Sequence, residues 1–432
     1  MSYSTSSFIN FPENRPQPAT VYLGNVPVAL YGVRPFVRTP ISHFVGRRPV
    51  MLFANSLAVG ASIGVAASQT FGQAMVFRIL QDFGGSSAWS LGIAAIGDIF
   101  FRHEKGAKIG ITSIAIVTSP FVGGIIGGTL IQYTSWRWTQ WFATITIGVG
   151  VVLQVFFVPE TIFRRDLKRP YDQAPIGTGD LTSWQIAQRR LGFVFPPRDE
   201  NSHGFFLIAT RPFVMLTYAP IALASLWFGA TYMLHVGITA LIPLVFKPAP
   251  FHFSSFDAFS GLIAGLIGEV CAGPVNDLIV KRNAKKILEW CPERRLQANW
   301  TAVVLAPIGL ILFGVFVDQK HHYVHSWGPP LLGQIFYIWG IEVATTVLQT
   351  YILECYPAQG TESTLVFNCF RNLLSFTTPF WITKLIAEVS SSWAFSIFAI
   401  VIVALLPFTI GVLMKYGEQI REKQGVPNWN RT

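Results

Sequence analysis

The chain has 432 residues, of which 12% are charged and 51% are hydrophobic, and its mean hydropathy is +0.45. A soluble protein carries about 25% charged residues, so this composition excludes an ordinary globular domain, whose surface needs more polar groups. The formal net charge of +10 would suit a nucleic-acid-binding protein. The lysines and arginines are divided among short loops, however, and no nucleic-acid-binding motif accompanies them.

In chain order, the apolar stretches form a ladder of candidate membrane crossings, each close to the length of about 20 residues that a bilayer requires. They lie near residues 49–68, 74–97, 109–131, 138–158, 212–234, 256–277, 299–317, 329–353, 363–387 and 391–414. Residues 21–45 are partly apolar but contain Arg34 and Arg38, and arginine is costly in a crossing. We interpret this segment as a poor crossing, with an interfacial piece as the alternative.

These stretches predict an all-α polytopic membrane protein with 10 or 11 crossings. The expected organisation is a disordered tail (1–25), an incomplete N-terminal bundle (26–158), a linker (159–211), a six-helix C-terminal bundle (212–414) and a C-terminal tail (415–432). Most lysines and arginines fall in loops on one face, and only Arg137, Lys247 and Lys320 fall in loops on the other. By the positive-inside rule, the linker and the C-terminus are predicted to be cytosolic, and we expect the plasma membrane as the location.

Several short segments occur in a recognisable order. They are Gly46-Arg47-Arg48-Pro49-Val50, Phe77-Arg78-Ile79-Leu80-Gln81, the glycine-rich run from Ser119 to Gly128, Trp136-Arg137-Trp138, Pro159-Glu160-Thr161 and Gly273-Pro274-Val275-Asn276-Asp277. In this order and spacing they resemble the major facilitator superfamily, and within it the fungal drug:proton antiporter type. The resemblance covers roughly residues 26–415. It implies two helical bundles with 12 crossings in the family pattern, of which the first is missing here.

The resemblance implies a secondary transporter that exports small organic compounds, such as a drug or secondary metabolite, by alternating access. Its expected partners are that organic substrate, protons as a candidate coupling ion, and the lipid bilayer. No nucleic acid, cofactor, metal or catalytic residue is expected. The alternative is a transport-inactive, truncated membrane protein of the same fold. An intramembrane enzyme is disfavoured because no HExxH or paired-aspartate motif at catalytic spacing is present.

Charged residues inside crossings are candidate transport residues, since a charge in hydrocarbon is retained for a function or is paired. The candidates for transport or proton coupling are Arg78, Asp82, Glu269 and Glu342. For Arg78 the structural alternative is an i,i+4 pair with Asp82 inside its own helix. For Glu269 and Glu342 the alternative is a carboxylate that pairs with another group in the bundle.

Other motif residues suggest structural or conformational roles. Asp277, Lys281 and Arg282 resemble a cytosolic latch that pairs in one conformation only, and Arg47 and Arg48 would form the first-half latch. In that half His43 stands where the family has an acidic residue, so we expect this latch to be impaired.

The glycine-rich helix resembles the antiporter signature of the family and contains Pro120, Gly123, Gly124, Gly127 and Gly128. Its small residues lie four apart, which permits close helix packing, and the resemblance adds an antiporter role. Glu354 and Arg371 flank a short loop between two crossings. We interpret them as a structural ion pair.

Overall fold

The computed structural model describes residues 17–85, 119, 122–158, 205–246, 291–319, 328–356, 359–425 and 427. Within these ranges every regular element is a helix. The α-helices in chain order are α1 (Gln17–Val45), α2 (Arg47–Ala67), α3 (Phe71–Gly84), α4 (Val122–Tyr133), α5 (Trp136–Phe157), α6 (Phe205–Met215), α7 (Ala219–Phe246), α8 (Trp300–Asp318), α9 (Gly328–Cys355), α10 (Gly360–Val389), α11 (Ser391–Leu406) and α12 (Val412–Gln424). A 3₁₀ helix (Pro292–Asn299) precedes α8, and a π-helical turn (Pro407–Gly411) joins α11 to α12.

Six helical segments in the described ranges are long and apolar enough to cross a membrane. They are Arg47–Ala67, Trp136–Phe157, Ala219–Thr239, Pro292–Asp318, Leu331–Cys355 and Ser391–Gln424. This confirms the all-α polytopic membrane fold predicted from the sequence. The predicted crossing at 256–277 lies outside the described residues.

Helix α2 organises the described N-terminal half by packing against α3 and α5. It approaches α3 closely at Gly84, where an added Cβ would lie 2.6 Å from the backbone nitrogen of Ala58 and 2.7 Å from the carbonyl oxygen of Ala54. Helix α3 ends at this contact, with Gly85 in an extended conformation. Helix α3 therefore ends within the crossing predicted near 74–97, and residues 86–97 of that crossing lie outside the described residues.

The C-terminal half contains a large apolar core built from α7, α8, α9, α10 and α11. Helices α8 and α9 touch backbone to backbone, since a Cβ on Gly309 would lie 2.7 Å from the carbonyl oxygen of Gly333. Helices α7 and α10 pack through aromatic side chains, with the rings of Phe228 and Phe367 stacked at a centroid distance of 4.6 Å.

The two halves meet where α1 packs against α10 and α6. A Cβ on Gly32 would lie 3.2 Å from the carbonyl oxygen of Cys369, and the rings of Phe36 and Phe213 lie 5.0 Å apart. Residues 17–45 form one continuous helix despite the prolines within it. Helix α1 is thus packed on both halves, and the poor crossing proposed for residues 21–45 stays a prediction.

The C-terminal helix α12 is attached to the ends of the neighbouring helices by polar contacts. Arg421 pairs with Glu293 of the 3₁₀ helix at 3.3 Å. The Gln424 side chain accepts a hydrogen bond from the Ala219 backbone N–H (3.1 Å) and donates one to the Thr217 carbonyl (3.1 Å). These contacts hold α12 as a part of the C-terminal half.

Candidate functional site

A buried polar network joins three helices of the N-terminal half at Gln81. Its side-chain NH₂ donates to the Ser62 hydroxyl of α2 at 2.7 Å and to the side-chain oxygen Oε1 of Gln140 in α5 at 3.3 Å. The Gln81 oxygen accepts a hydrogen bond from Arg78 Nη1 at 2.9 Å. Because these side chains are buried, the network replaces the water that would otherwise hydrate them.

Arg78 and Asp82 lie one turn apart on α3 and form an ion pair with a distance of 3.7 Å between Nε and Oδ2. Asp82 also interacts electrostatically with Arg34 of α1. The structure thus brings together the two candidates of the first half and adds a third charge. The pairing within the helix shows the structural alternative for Arg78, and it leaves a transport role untested.

Arg34 and Arg38 contact the C-terminal end of α3. Arg34 Nη1 donates to the carbonyl oxygen of Asp82, and Arg38 Nη1 donates to the carbonyl oxygen of Gly85 at 3.1 Å. The last carbonyls of a helix lack partners within the helix and carry partial negative charge. The two arginines therefore stabilise a helix end inside the bundle, and they are only 3% and 4% exposed.

From the sequence alone, these two arginines indicate only a poor crossing and no functional role. A usable signal was present, because Arg34 and Arg38 are spaced four residues apart and therefore lie on one face of a helix. The pair of glycines at 84–85 marks the helix end that they contact. No spacing in the sequence connects the two features, which are almost 50 residues apart.

The C-terminal half holds a second group of polar side chains in its apolar core. The Arg371 guanidinium lies 4.8 Å from the ring centroid of Tyr232, and Tyr232 interacts electrostatically with Glu342. The Tyr337 hydroxyl at 0% exposure donates to the Thr231 carbonyl oxygen. Residues from α9 and α10 thus bring one carboxylate and one guanidinium into the electrostatic surroundings of the Tyr232 phenol of α7.

Most of the predicted latch falls outside the described residues. Asp277, Lys281 and Arg282 lie there, as does Glu269. In the first half, Arg48 Nη2 donates to the carbonyl oxygen of Val155 at 2.9 Å, near the end of α5. Arg48 therefore stabilises a helix end within its own half in this conformation.

The close packing expected along the glycine-rich helix α4 stays a prediction. Among the described residues, an added Cβ at Gly124 or Gly127 would meet no atom within 4 Å. Gly123 and Gly128 lie in the same helix, and Pro120 is outside the described residues.

Glu354 pairs with a different arginine from Arg371, the partner predicted from the sequence. Both oxygens of Glu354 accept from Arg295 of the 3₁₀ helix, with 3.1 Å from Nε to Oε2. Arg371 lies 11 residues beyond the start of α10 at Gly360, which places it about 16 Å further along the helix axis. Glu354 lies at the end of α9 and Arg371 lies well inside α10, so the two residues are separated along the helix axis although only a short loop joins their helices.

Metal binding has no support in the residues that the structure describes. They contain no cluster of three or more histidine, cysteine, aspartate or glutamate side chains that could hold an ion. Cys291, Cys355 and Cys369 are free thiols.

Comparisons with known proteins place these features in a family. The chain is 26% identical over 393 residues to the Efflux pump FUB11 of Gibberella moniliformis, which covers 90% of this chain and 64% of that protein. It is 26% identical over 408 residues to the Saccharomyces cerevisiae protein named "Probable drug/proton antiporter YHK8", covering 91% of this chain and 75% of that protein. The chain thus spans slightly less than two thirds of the FUB11 pump.

Solved structures share the fold at low sequence identity. A crystal structure of a D-xylose-proton symporter superposes with a TM-score of 0.62 at 18% identity, covering 94% of this chain and 92% of that one. The human organic anion transporter MFSD10 (TETRAN) superposes with a TM-score of 0.57 at 16% identity, covering 93% and 86%. The sequence profile described as Major Facilitator Superfamily matches residues 23–379. The protein therefore belongs to the Major Facilitator Superfamily, which places it among transporters and not among enzymes.

Proposed function

We propose that this protein is a secondary transporter that exports small organic compounds in exchange for protons by alternating access. The names of its relatives, an efflux pump and a drug/proton antiporter, support export and proton coupling. The observation that carries the proposal is the presence of charged side chains inside both halves of an otherwise apolar helical protein. Such residues are costly in a membrane and mark substrate or proton pathways.

Glu342 is the proposed proton carrier. It lies near the middle of the candidate span Leu331–Cys355, beside the buried Tyr232. A carboxylate in such a place can be neutral when protonated and can attract a cation or an arginine when ionised. Tyr232 interacts electrostatically with both Arg371 and Glu342, so a proton on Glu342 would change the balance of charge around this phenol. Protonation would thus change the forces between α9 and α10.

The contact between α1 and α10 is the proposed hinge of the transport cycle. The helices touch at Gly32 and Cys369 without a side chain between them. Alternating access requires the two bundles to rock against each other around a central site. Helix α1 can transmit this motion to the N-terminal network because Arg34, two residues beyond Gly32, holds the end of α3.

A flux assay tests the transport activity. The purified chain is reconstituted in proteoliposomes with an imposed pH gradient, and the accumulation of a panel of apolar cations, anions and neutral organic compounds is measured. We expect gradient-driven flux of at least one compound, and we expect Arg78→Ala to abolish it while Arg137→Ala, at an exposed arginine, preserves it. Absence of flux for every compound would support the transport-inactive alternative.

A cross-linking assay tests the hinge. A cysteine at position 32 would lie next to Cys369, whose Cα is 3.6 Å from the added Cβ, and cysteines whose Cα atoms lie within about 6.8 Å of each other can form a disulfide. Oxidation of Gly32→Cys should stop transport, and a reductant should restore it. Gly60→Cys, where an added Cβ meets no neighbour within 4 Å, is the control that should not respond. Full transport by the cross-linked protein would contradict alternating access at this contact.

We also propose that the linker over 159–211 and the tail over 415–432 face the cytosol and that the protein resides in the plasma membrane. The distribution of lysines and arginines supports this orientation. A protease applied outside intact cells should not cleave the linker, and a charged thiol reagent should not modify a cysteine introduced at Arg189. Modification of that cysteine from outside would reverse the topology.

A further inference from the structure

We infer that Arg38, together with Arg34, forms a binding site for the anionic group of an organic anion, so that organic carboxylates are the substrate class. The inference rests on the proposed transport function and names the compounds that it would carry. Both arginines lie on the face of α1 that contacts α3, opposite to Gly32 and the contact with α10. The site is therefore inside the N-terminal half.

The local charge at the end of α3 supports an anion-binding site. Arg34, Arg38 and Arg78 bring three positive charges to the end of α3, and Asp82 is the one carboxylate that the described residues place among them. The end of the helix adds only about half a negative charge. The site thus keeps an excess of positive charge, and in a medium of low polarity such an excess is costly until an anion compensates it.

An unused hydrogen-bond donor of Arg38 also supports an anion-binding site. Arg38 is 4% exposed, and its Nη2 has no hydrogen-bond partner among the described residues. Its other contacts are the Gly85 carbonyl at 3.1 Å and the ring of Phe83 at 5.5 Å. Buried guanidinium groups normally use their donors fully. A carboxylate is the planar acceptor that fits the fork of a guanidinium group.

The other two arginines at the end of α3, Arg34 and Arg78, do not show the same deficit. Arg78 is paired with Asp82 and bonded to Gln81. Arg34 is placed over the Tyr31 ring at 3.8 Å and is attracted by Asp82. Arg38 instead has Arg34 as its charged neighbour, which repels it. The excess positive charge is therefore located at Arg38. We expect this residue to select anionic over neutral compounds.

Matched probes test the inference by direct binding to the purified full chain in lipid nanodiscs. The probes are benzoate and 2-naphthoate, their neutral amides benzamide and 2-naphthamide, and the cation 2-naphthylmethylammonium. Because a hydrogen bond to a charged group is worth about 1.5–3 kcal/mol, equal to about tenfold or more in affinity, at least one carboxylate should bind about tenfold more tightly than its amide. Arg38→Gln should remove this preference, and Arg38→Lys should retain part of it.

Controls separate the site from general effects of charge or folding. Arg137→Gln removes an exposed arginine of the same half and should leave carboxylate binding unchanged. Each variant must elute as a monodisperse protein, and amide binding by Arg38→Gln equal to that of the unmodified chain shows that the fold is intact.

Three results would overturn the inference. They are equal binding of carboxylate and amide, a carboxylate preference that survives Arg38→Gln, and displacement of the carboxylates by chloride or phosphate at physiological concentration, which would identify an inorganic-anion site. Failure of the transport function gives a different pattern, in which Arg38-dependent carboxylate binding persists but no pH gradient drives flux.

Discussion

Different interactions stabilise the interior of the N-terminal half and the interior of the C-terminal half. In the described part of the C-terminal half, α7 to α11 share a continuous core of apolar and aromatic side chains, with fully buried rings such as Phe228 and Phe367. In the described part of the N-terminal half, the apolar cluster is small and includes Val50 and Met51. There the buried contacts are hydrogen bonds around Gln81 and along the ends of α3 and α5.

For the described residues, this difference predicts that the two halves respond differently to substitution. Apolar packing is insensitive to small rotations, whereas a network of buried polar side chains has few arrangements that satisfy every group. In lipid, polar side chains and small residues are the main means of attaching one helix to another. We therefore expect the C-terminal half to be sensitive to changes of volume and the N-terminal half to be sensitive to changes of polarity.

The largest expected effect is a loss of stability when volume is added between α8 and α9. Gly309→Ala would place a Cβ 2.7 Å from the Gly333 carbonyl oxygen, and backbone atoms cannot move aside. Overpacking costs about 1–3 kcal/mol, so the melting temperature in detergent should fall by several degrees. Gly148→Ala, where the added Cβ meets no atom within 4 Å, should leave it unchanged. An unaltered melting temperature for Gly309→Ala would contradict this packing.

The next effect is the removal of polarity from the N-terminal network. Gln81→Leu has a similar volume but leaves Arg78, Ser62 and Gln140 without the partner that Gln81 provides. An unsatisfied buried polar group costs about 1–3 kcal/mol, so thermal stability should fall measurably. Gln73→Leu, at an exposed position of α3, is the matched control. Equal stability of the two variants would contradict the comparison between the halves.

A smaller effect is expected at the ion pair between Arg295 and Glu354. A double-mutant cycle with Arg295→Met and Glu354→Leu isolates the coupling free energy of the pair. The side chains are 13% and 27% exposed, and exposed pairs are worth about 0.2–1 kcal/mol, so the coupling should approach the upper end of that range. The same cycle between Glu354 and Arg371 should give a coupling near zero, and a larger value would restore the partner predicted from the sequence.

The smallest effect concerns the start of α11. Asp318 accepts hydrogen bonds from the backbone N–H groups of Ser391 (3.0 Å) and Ser392 (2.7 Å). A carboxylate at a helix N-terminus contributes about 0.3–1 kcal/mol through the helix dipole. Asp318→Asn keeps one acceptor oxygen and removes the charge, so the melting temperature should fall only slightly. A fall as large as that of Gly309→Ala would show that Asp318 has a further role.

The sequence was sufficient for the fold class because hydrocarbon imposes a length and a composition on each crossing. It also offered the local pair of Arg78 and Asp82 as the structural alternative to a transport role, since residues four apart on a helix are neighbours. It could not predict that Arg34 and Arg38 hold the end of α3, because that contact joins segments almost 50 residues apart. The wrong partner for Glu354 has the same cause, since Arg295 is 59 residues away in the chain.

The break of α3 at Gly85 was missed for a different reason. Hydropathy continues through residues 74–97 and gives no sign of a helix end, while glycine alone is tolerated in membrane helices. The break depends on the close contact of Gly84 with Ala54 and Ala58 and on two arginines that donate hydrogen bonds to the freed carbonyl oxygens. These are tertiary contacts, and only the packed structure shows them.

Proton coupling at Glu342 is the central claim, and comparison of two modes of transport tests it most directly. Glu342→Gln keeps the size of the side chain but cannot carry a proton. The account predicts that this variant still exchanges labelled for unlabelled substrate across the membrane at equal pH, yet no longer accumulates substrate when a pH gradient is imposed. Glu388→Gln, at an exposed glutamate of α10, should retain both activities. Accumulation by Glu342→Gln equal to that of the unmodified protein would contradict the account.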